Sequence, residues 1–267
     1  MNKMILKVAL LTCAAVVGNA HAIGVPGQGT WETTLQDRDL NGDGSADAFF
    51  DTTLNITWLR DAGHPLGNWY SAVAWAADLD VRGRSAAGPG VWLGPGGWRL
   101  PTMIDTFTPP VSGPDGCNMS FAGGTDCGFN VQTKSGDTVF SEMAHLYYVT
   151  LGNKAYCPPG NLTCSPAPQQ GWGLTNTGNF QNMQPSDYWL GLELVTEATR
   201  AWHFGLQQGF QDSGGYSKQS GNYAMAVHDG DIGVAVVPEP ETYALMLAGL
   251  AMLGATARRK AAPLDHA

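Results

Sequence analysis

With 23 acidic against 14 basic side chains, a formal charge of −9 over 267 residues, this chain has the wrong sign to hold nucleic acid or anionic lipid headgroups. Setting aside the two lysines before position 23 and the three basic and three acidic residues after position 237 leaves nine basic against 20 acidic, a charge of −11. That body, residues 23–237, is long enough for one large domain or two small ones and suits a soluble exported protein, or one that holds cations.

At the N-terminus Lys3 and Lys7 precede an apolar stretch, 8–17, and then Ala20-His21-Ala22. Basic flank, short apolar core and small residues at −3 and −1 make 1–22 a secretory signal peptide cut after Ala22, too short in its apolar part for a membrane anchor. The partner it implies is the secretion translocon.

The body opens on "DRDLNGDGSADAFFD". Asp39, Asn41, Asp43, Gly44 and Asp47 fall at positions 1, 3, 5, 6 and 9 of an acidic calcium loop, whose alternate oxygens converge because the chain turns tightly at the glycine. Phe50 stands where the bidentate acid belongs and Asp51 comes one residue late, so the pattern predicts weak Ca2+ binding, or else an Asx-rich turn between strands. "LNITWL" follows, with Leu54, Ile56 and Trp58 alternating against polar neighbours as in a half-buried strand.

"NWYSAVAWAADLDV" predicts a helix with Asn68 as N-cap and Trp69, Val73, Ala76 and Leu79 on one face. In "GGWRLPT" Trp98 and Leu100 point one way and Arg99 the other; an arginine so placed is expected to be a structural fork for a carboxylate or carbonyls, with an anion clamp for substrate as the lesser reading. Residues 105–137 read as a long loop stapled by a cysteine pair. "SEMAHLYYVTLGN" predicts a second amphipathic helix, capped by Ser141 and closed by Gly152, with Met143, Leu146, Tyr147 and Thr150 inward and His145 on the solvated side. The rest, "DYWLGLEL", "RAWHFGLQQGF", "YAMAVHDG" and "IGVAVV", reads as short strands joined by Gly and Asn turns. Two helices followed by a run of strands predict an α+β fold with an antiparallel sheet.

Cys13 leaves with the signal peptide, and the other four cysteines fall in local pairs, Cys117 with Cys127 and Cys157 with Cys164. In an oxidising compartment these are expected disulfides closing loops of about ten and eight residues, each contributing roughly 2–3 kcal/mol. A four-thiolate zinc site needs tighter knuckles than these.

The tail, "VVPEPETYALMLAGLAMLGATARRKAAPLDHA", carries an apolar helix over 243–257 that stops at Arg258, Arg259 and Lys260. It falls short of the twenty or so residues of a stable bilayer span, and its basic end belongs in the cytoplasm. Pro238 and Pro240 hold the preceding segment extended and out of helix, where a peptidase beside the bilayer can grip it.

No nucleophile elbow, zinc-protease helix, phosphate loop or dinucleotide fingerprint occurs. His203 and His228 sit in separate strand pieces and meet only if a sheet brings them together; Glu193 is the first carboxylate to test for glycoside chemistry. Nine Trp and eight Tyr are more than a core of this size needs, and an exposed one beside the acidic loop would suit stacking on a sugar.

Taken in order, "NGDGSAD…DTTLNITWL", "WYSAVAWAADL", "GGWRLPT", "SEMAHLYYVTLGN" and "YWLGLE…AWHFGLQQG…GNYAMAVHDGD" resemble the bacterial DUF1566 family. That family is similar to the C-terminal domain of a collagen-like adhesin, and the resemblance implies a C-type-lectin-like single domain of two helices packed on short antiparallel strands, over 23–237. Pro238-Glu239-Pro240 with the apolar helix and the Arg258–Lys260 cluster resembles the PEP-CTERM sorting signal over 238–267. That implies an exosortase, a membrane cysteine peptidase, as partner, with the inner membrane as a way station in a Gram-negative-type envelope. No Glu-Pro-Asn or Gln-Pro-Asp sugar motif is present, so lectin activity does not carry over. The expected function is non-catalytic recognition or adhesion at the cell surface or in a biofilm matrix, with exopolysaccharide as ligand. The alternatives are a coat component acting by protein–protein contacts, or an enzyme on a formylglycine-generating-like scaffold, which needs a reactive cysteine pair.

Overall fold

The computed structural model describes residues 24–86, 94, 96–106, 119–124, 126–212 and 217–235. The sorting tail, the signal peptide, the predicted transmembrane helix 243–257 and Cys117 lie outside the described residues. Among those described, no helix is long and apolar enough to cross a membrane.

A short helix α1 (Trp31–Thr34) leads into a meander of β1 (Leu35–Asp39), β2 (Ala48–Asp51) and β3 (Ile56–Leu59). The β2–β3 turn forms because Asp51 Oδ1 accepts the amides of Thr53 and Leu54 at 2.9 and 3.1 Å, while Asn55 takes a left-handed φ of 56°. Then come β4 (His64–Gly67), α2 (Trp69–Ala77), β5 (Trp98–Arg99), β6 (Met119–Ser120), β7 (Cys127–Phe129), β8 (Lys134–Ser135), β9 (Thr138–Val139) and α3 (Glu142–His145). Helix α3 widens into a π-turn over Leu146–Thr150, and β10 (Asp187–Glu193), β11 (Ala201–Gly205), β12 (Phe210–Asp212), β13 (Asn222–Ala224), β14 (Val227–Asp229) and β15 (Val234–Ala235) complete the order.

Two sheets result, β15-β1-β2-β3-β14-β5 and β4-β13-β10-β11-β12-β7-β6, beside the hairpin β8–β9. The architecture is mostly β-sheet with a few short helices. Two pairings, β10–β13 and β6–β7, are parallel, against the all-antiparallel expectation. The stretch 105–137 is also more than a stapled loop: β6, β7 and β8 lie in it, and β7 pairs with β12.

Strand alternation feeds two cores rather than one core and solvent. Phe49, Trp58, Tyr188, Trp202 and Val227 join Met143, Leu146 and Tyr147 in the larger core. Their chain neighbours Ala48, Leu59, Trp189, Ala201 and Ala226 join Trp69, Ala72, Ala76 and Leu79 of α2 in the second. Period-two alternation therefore buries both faces. This corrects the half-buried reading of "LNITWL": all four residues of β3 are buried, and Thr57 sits on the far side with its hydroxyl donating to Gly230 O at 2.7 Å.

The buried indoles fasten elements to one another. Trp69 Nε1 donates to Leu190 O at 2.8 Å, Trp189 Nε1 to Gly67 O at 2.9 Å and Trp98 Nε1 to Asp80 O at 2.9 Å. Helix α2 starts as expected, with the Asn68 side chain accepting from Ser71 N at 2.9 Å. The second helix starts at its predicted cap, Ser141, whose Oγ accepts from Ala144 N, but it is not amphipathic. Glu142, Met143, Ala144, His145, Leu146 and Tyr147 are all buried. The wider π-turn lets adjacent Tyr147 and Tyr148 bond inward, to Lys154 O and Gly209 O at 3.1 and 2.6 Å.

Two buried asparagines then tie the N-terminal segment to the end of that helix. Asn176 donates to Gln28 O and Leu151 O at 3.0 and 2.8 Å and accepts from Val25 N and Gly178 N at 2.8 and 3.0 Å. Asn153 Oδ1 accepts the amides of Thr175 and Asn176, each at 2.9 Å. Asn176→Ala removes the partner of four backbone groups at once, at a cost of about 2–4 kcal/mol. Urea unfolding should show that loss; a variant as stable as wild type would contradict this role.

Candidate functional site

A cleft of about 450 Å³ opens where the end of β3, the C-terminal half of α2 and the turn after α2 converge. Each wall has a local cause. Arg60 N donates to Asp47 O at 2.9 Å and Gln181 N to Arg60 O at 2.9 Å, which fixes the segment leaving β3. The turn after α2 is organised by Asp80, which is fully buried: Oδ1 accepts the amides of Arg82 and Arg84 at 2.8 and 3.0 Å, and Oδ2 pairs with Arg84 Nη2 at 3.0 Å. Burial alone would raise the Asp80 pKa, but those amides and the guanidinium outweigh it and hold the carboxyl below its usual value. Gly83 takes a φ of +68°, and a Cβ there would stand 2.4 Å from Leu59 Cδ1, so the turn requires glycine.

The aromatic part of the cleft is a stacked pair. His64 lies flat on Trp75, ring centroids 3.9 Å apart and planes 9° from parallel. Burial lowers the His64 pKa, with Asp61 opposing. Three arginines, Arg60, Arg82 and Arg84, line the same space with Asp47, Asp61, Ser85 and Gln181. The pairing of His64 with Trp75 was not legible, because the two lie eleven positions apart, one on a strand and one on a helix. "RGR" at 82–84 was the available signal and is a weak one.

The acidic loop lies along one rim. Asp39 Oδ1 accepts from Asn41 N and Gly42 N at 3.0 and 2.6 Å, and Oδ2 accepts from Gly44 N at 2.8 Å. Asn41 and Asp43 accept from the amides two residues on, and Asp47 Oδ2 accepts from Leu40 N. The bond from Gly44, against an opposing desolvation and with those from Gly42 and Asn41, keeps the Asp39 pKa below its usual value. Burial raises that of Asp47, the member facing the cleft. Among the described residues no group of three or more His, Cys, Asp or Glu side chains is placed to hold a metal ion.

Other residues picked from the sequence are dispersed. Arg99 is the structural fork: its Nη1 and Nη2 grip Glu142 at 2.8 and 2.7 Å, and Nη2 reaches Asp229 at 2.5 Å. Burial works against its charge, but the two carboxylates prevail and raise its pKa. Glu193 pairs with Lys218 at 2.5 Å, and the Lys218 Nζ lies 4.5 Å over the Trp69 ring. His203 is on β11 and His228 on β14, in different sheets; His228 stacks edge-on against Trp98 instead. Cys157 and Cys164 are disulfide-bonded as expected, and Cys127 is also held in a disulfide. Most aromatics are core; Tyr70 and Trp172 are exposed, neither on the cleft.

Comparison with known proteins adds one finding. A family model described as the PEP-CTERM protein-sorting motif matches residues 236–260. The match begins on the residue after β15 and takes in Pro238, Glu239, Pro240, Arg258, Arg259 and Lys260. The motif implies exosortase processing of an exported protein held transiently at the membrane. No curated protein and no solved structure matches the chain.

His145 corrects the expectation of a solvated ring. It is 3% exposed, and neither ring nitrogen has a hydrogen-bond partner among the described residues. Burial, reinforced by Lys134, lowers its pKa from 6.5 to about 4. Because the folded value is depressed, the unfolded chain takes up a proton that the fold refuses as pH falls through that window. Its stabilising effect is complete above pH 6.5 and shrinks toward pH 4, by up to about 3 kcal/mol. His145→Leu should flatten this part of the stability–pH curve in urea melts at pH 7 and 4.5. A slope unchanged from wild type would refute it.

Proposed function

We propose that this chain is an exported, exosortase-sorted protein of the cell surface or extracellular matrix. Its body, 23–237, serves as a non-catalytic recognition and adhesion module for envelope or matrix polysaccharide. The observation that carries the reading is the sorting motif at 236–260, which starts where the described fold ends. The residues that most resembled catalytic ones have structural partners, Arg99 with Glu142 and Glu193 with Lys218, which favours recognition over chemistry. The cleft supplies what sugar recognition needs, a flat aromatic surface beside planar polar side chains. We further propose the DUF1566 relationship and its C-type-lectin-like topology. Both draw on the sequence resemblance and agree with the pairing of β1 with β15, which brings the two ends of the described fold together.

Calcium at Asp39, Asn41, Asp43 and Asp47 belongs to the same reading as a low-affinity accessory. Binding would exchange some amide bonds for the ion and order the rim of the cleft.

Retention of the full chain on the producer's own exopolysaccharide tests the recognition half. Binding is expected, stronger with calcium than with chelator; no retention in either would overturn it, and sugar-independent, concentration-dependent assembly would favour a coat component. For the sorting half, Glu239→Ala should leave uncleaved precursor in the inner-membrane fraction on immunoblots. Normal release of that variant would contradict exosortase sorting.

A further inference from the structure

Recognition of a polysaccharide leaves the ligand's charge open, and the cleft supplies it. The body carries nine basic residues against 20 acidic ones, yet three of the nine line this one cleft. Most of the others are neutralised where they stand. Arg38 is forked on Asp231, Arg99 on Glu142 and Asp229, Arg200 on Glu197 and Lys218 on Glu193. In the cleft only Arg84 is paired, to Asp80. Arg60 and Arg82 make no ion pair among the described residues.

The two aspartates on the wall form no ion pair with them among the described residues and accept instead from neutral amides. Asp61 Oδ1 accepts from Gly63 N and Asn182 Nδ2, each at 3.0 Å, and Asp47 accepts from Leu40 N and Asn41 Nδ2. Arg60 reaches Ala46 O with Nη1 at 2.8 Å, but its Nε is buried with no hydrogen-bond partner among the described residues. A buried donor left without an acceptor is costly, so the guanidinium is only partly satisfied where it stands. A second cleft of about 480 Å³ at Trp31, Gln36 and Arg38 offers no such donor, since Arg38 Nη2 and Nε already hold Gln36 and Asp231.

We propose that the cleft binds a carboxylated sugar residue of an acidic polysaccharide. Arg60 and Arg82 take the carboxylate, and the His64–Trp75 stack lies against the pyranose ring. A guanidinium matches a carboxylate by charge and by fork geometry, which a neutral hydroxyl does not reproduce. The flat apolar face of a pyranose fits an aromatic platform. This inference rests on the recognition reading above and narrows it to acidic glycans.

Calorimetric titration of the full chain with a hexamer of glucuronic acid, and separately with a hexamer of glucose, tests it. The acidic oligomer should bind at least tenfold tighter, and the preference should shrink as salt is raised. Arg82→Gln, whose side chain makes no hydrogen bond or ion pair among the described residues, should weaken the acidic oligomer about tenfold or more and leave the melting temperature unchanged. Arg60→Gln should do the same for binding, while Lys154→Gln, away from this cleft, should change nothing. Equal affinity for the two oligomers, or full acidic binding by both arginine variants, would overturn the inference yet leave polysaccharide recognition standing. No binding of either oligomer would overturn it as well; if the producer's own exopolysaccharide were also not retained, the recognition reading would fall with it.

Discussion

Two residues of backbone pairing, Arg38 with Ala235 and Asp39 with Val234, join β15 to β1. The Arg38 guanidinium reinforces that junction by forking onto Asp231 just before β15, with its own side chain only 8% exposed. Without this closure the six-stranded sheet would have no reason to bring position 235 back beside position 38. The consequence for function is positional. The sorting motif begins at residue 236, so the described fold and the address label abut without a spacer. A cut near Pro238 or Pro240 would therefore remove none of the described residues of either core.

Electrostatics in the body follow a simple economy. An excess of acid is tolerated because many carboxylates are turned onto backbone amides: Asp39 onto the loop it closes, Asp51 onto the β2–β3 turn, Asp80 onto the turn that presents Arg82. Five of the nine cations in the body are matched to carboxylates, Arg99 to two of them. Two of the four cations left without an ion pair among the described residues, Arg60 and Arg82, lie beside the His64–Trp75 stack, where Asp80 fixes the backbone and Gly83 lets it approach Leu59. The same acidic side chains that give the chain its net charge thus shape the place where a ligand's negative charge is welcome.

Local rules made much of the fold legible. Asn68 and Ser141 announced their helices because a cap is decided within four residues, and "DYWLGLEL" and "RAWHFG" announced β10 and β11 by their aromatic content. What escaped depends on layers the sequence does not display. Thr57 looked like a solvent-facing residue until β3 proved to lie between two cores. His145 looked like the polar face of a helix, but the segments around it bury that face too. His203 and His228 looked able to meet, and were divided between sheets. The cleft was least legible of all, since its aromatic pair and its arginines come from four separate stretches whose convergence is purely tertiary. Arg99, by contrast, was readable as a fork, though not its partners.

The central claim is that a body described as far as β15 is delivered outside the cell by a tail that is then removed. Intact-mass spectrometry of the protein recovered from outside producing cells tests this most directly. The account predicts a species beginning after Ala22 and ending at or near Pro238–Pro240, with or without an added group. A recovered species whose mass runs through Arg258, Arg259 and Lys260 to Ala267 would contradict it.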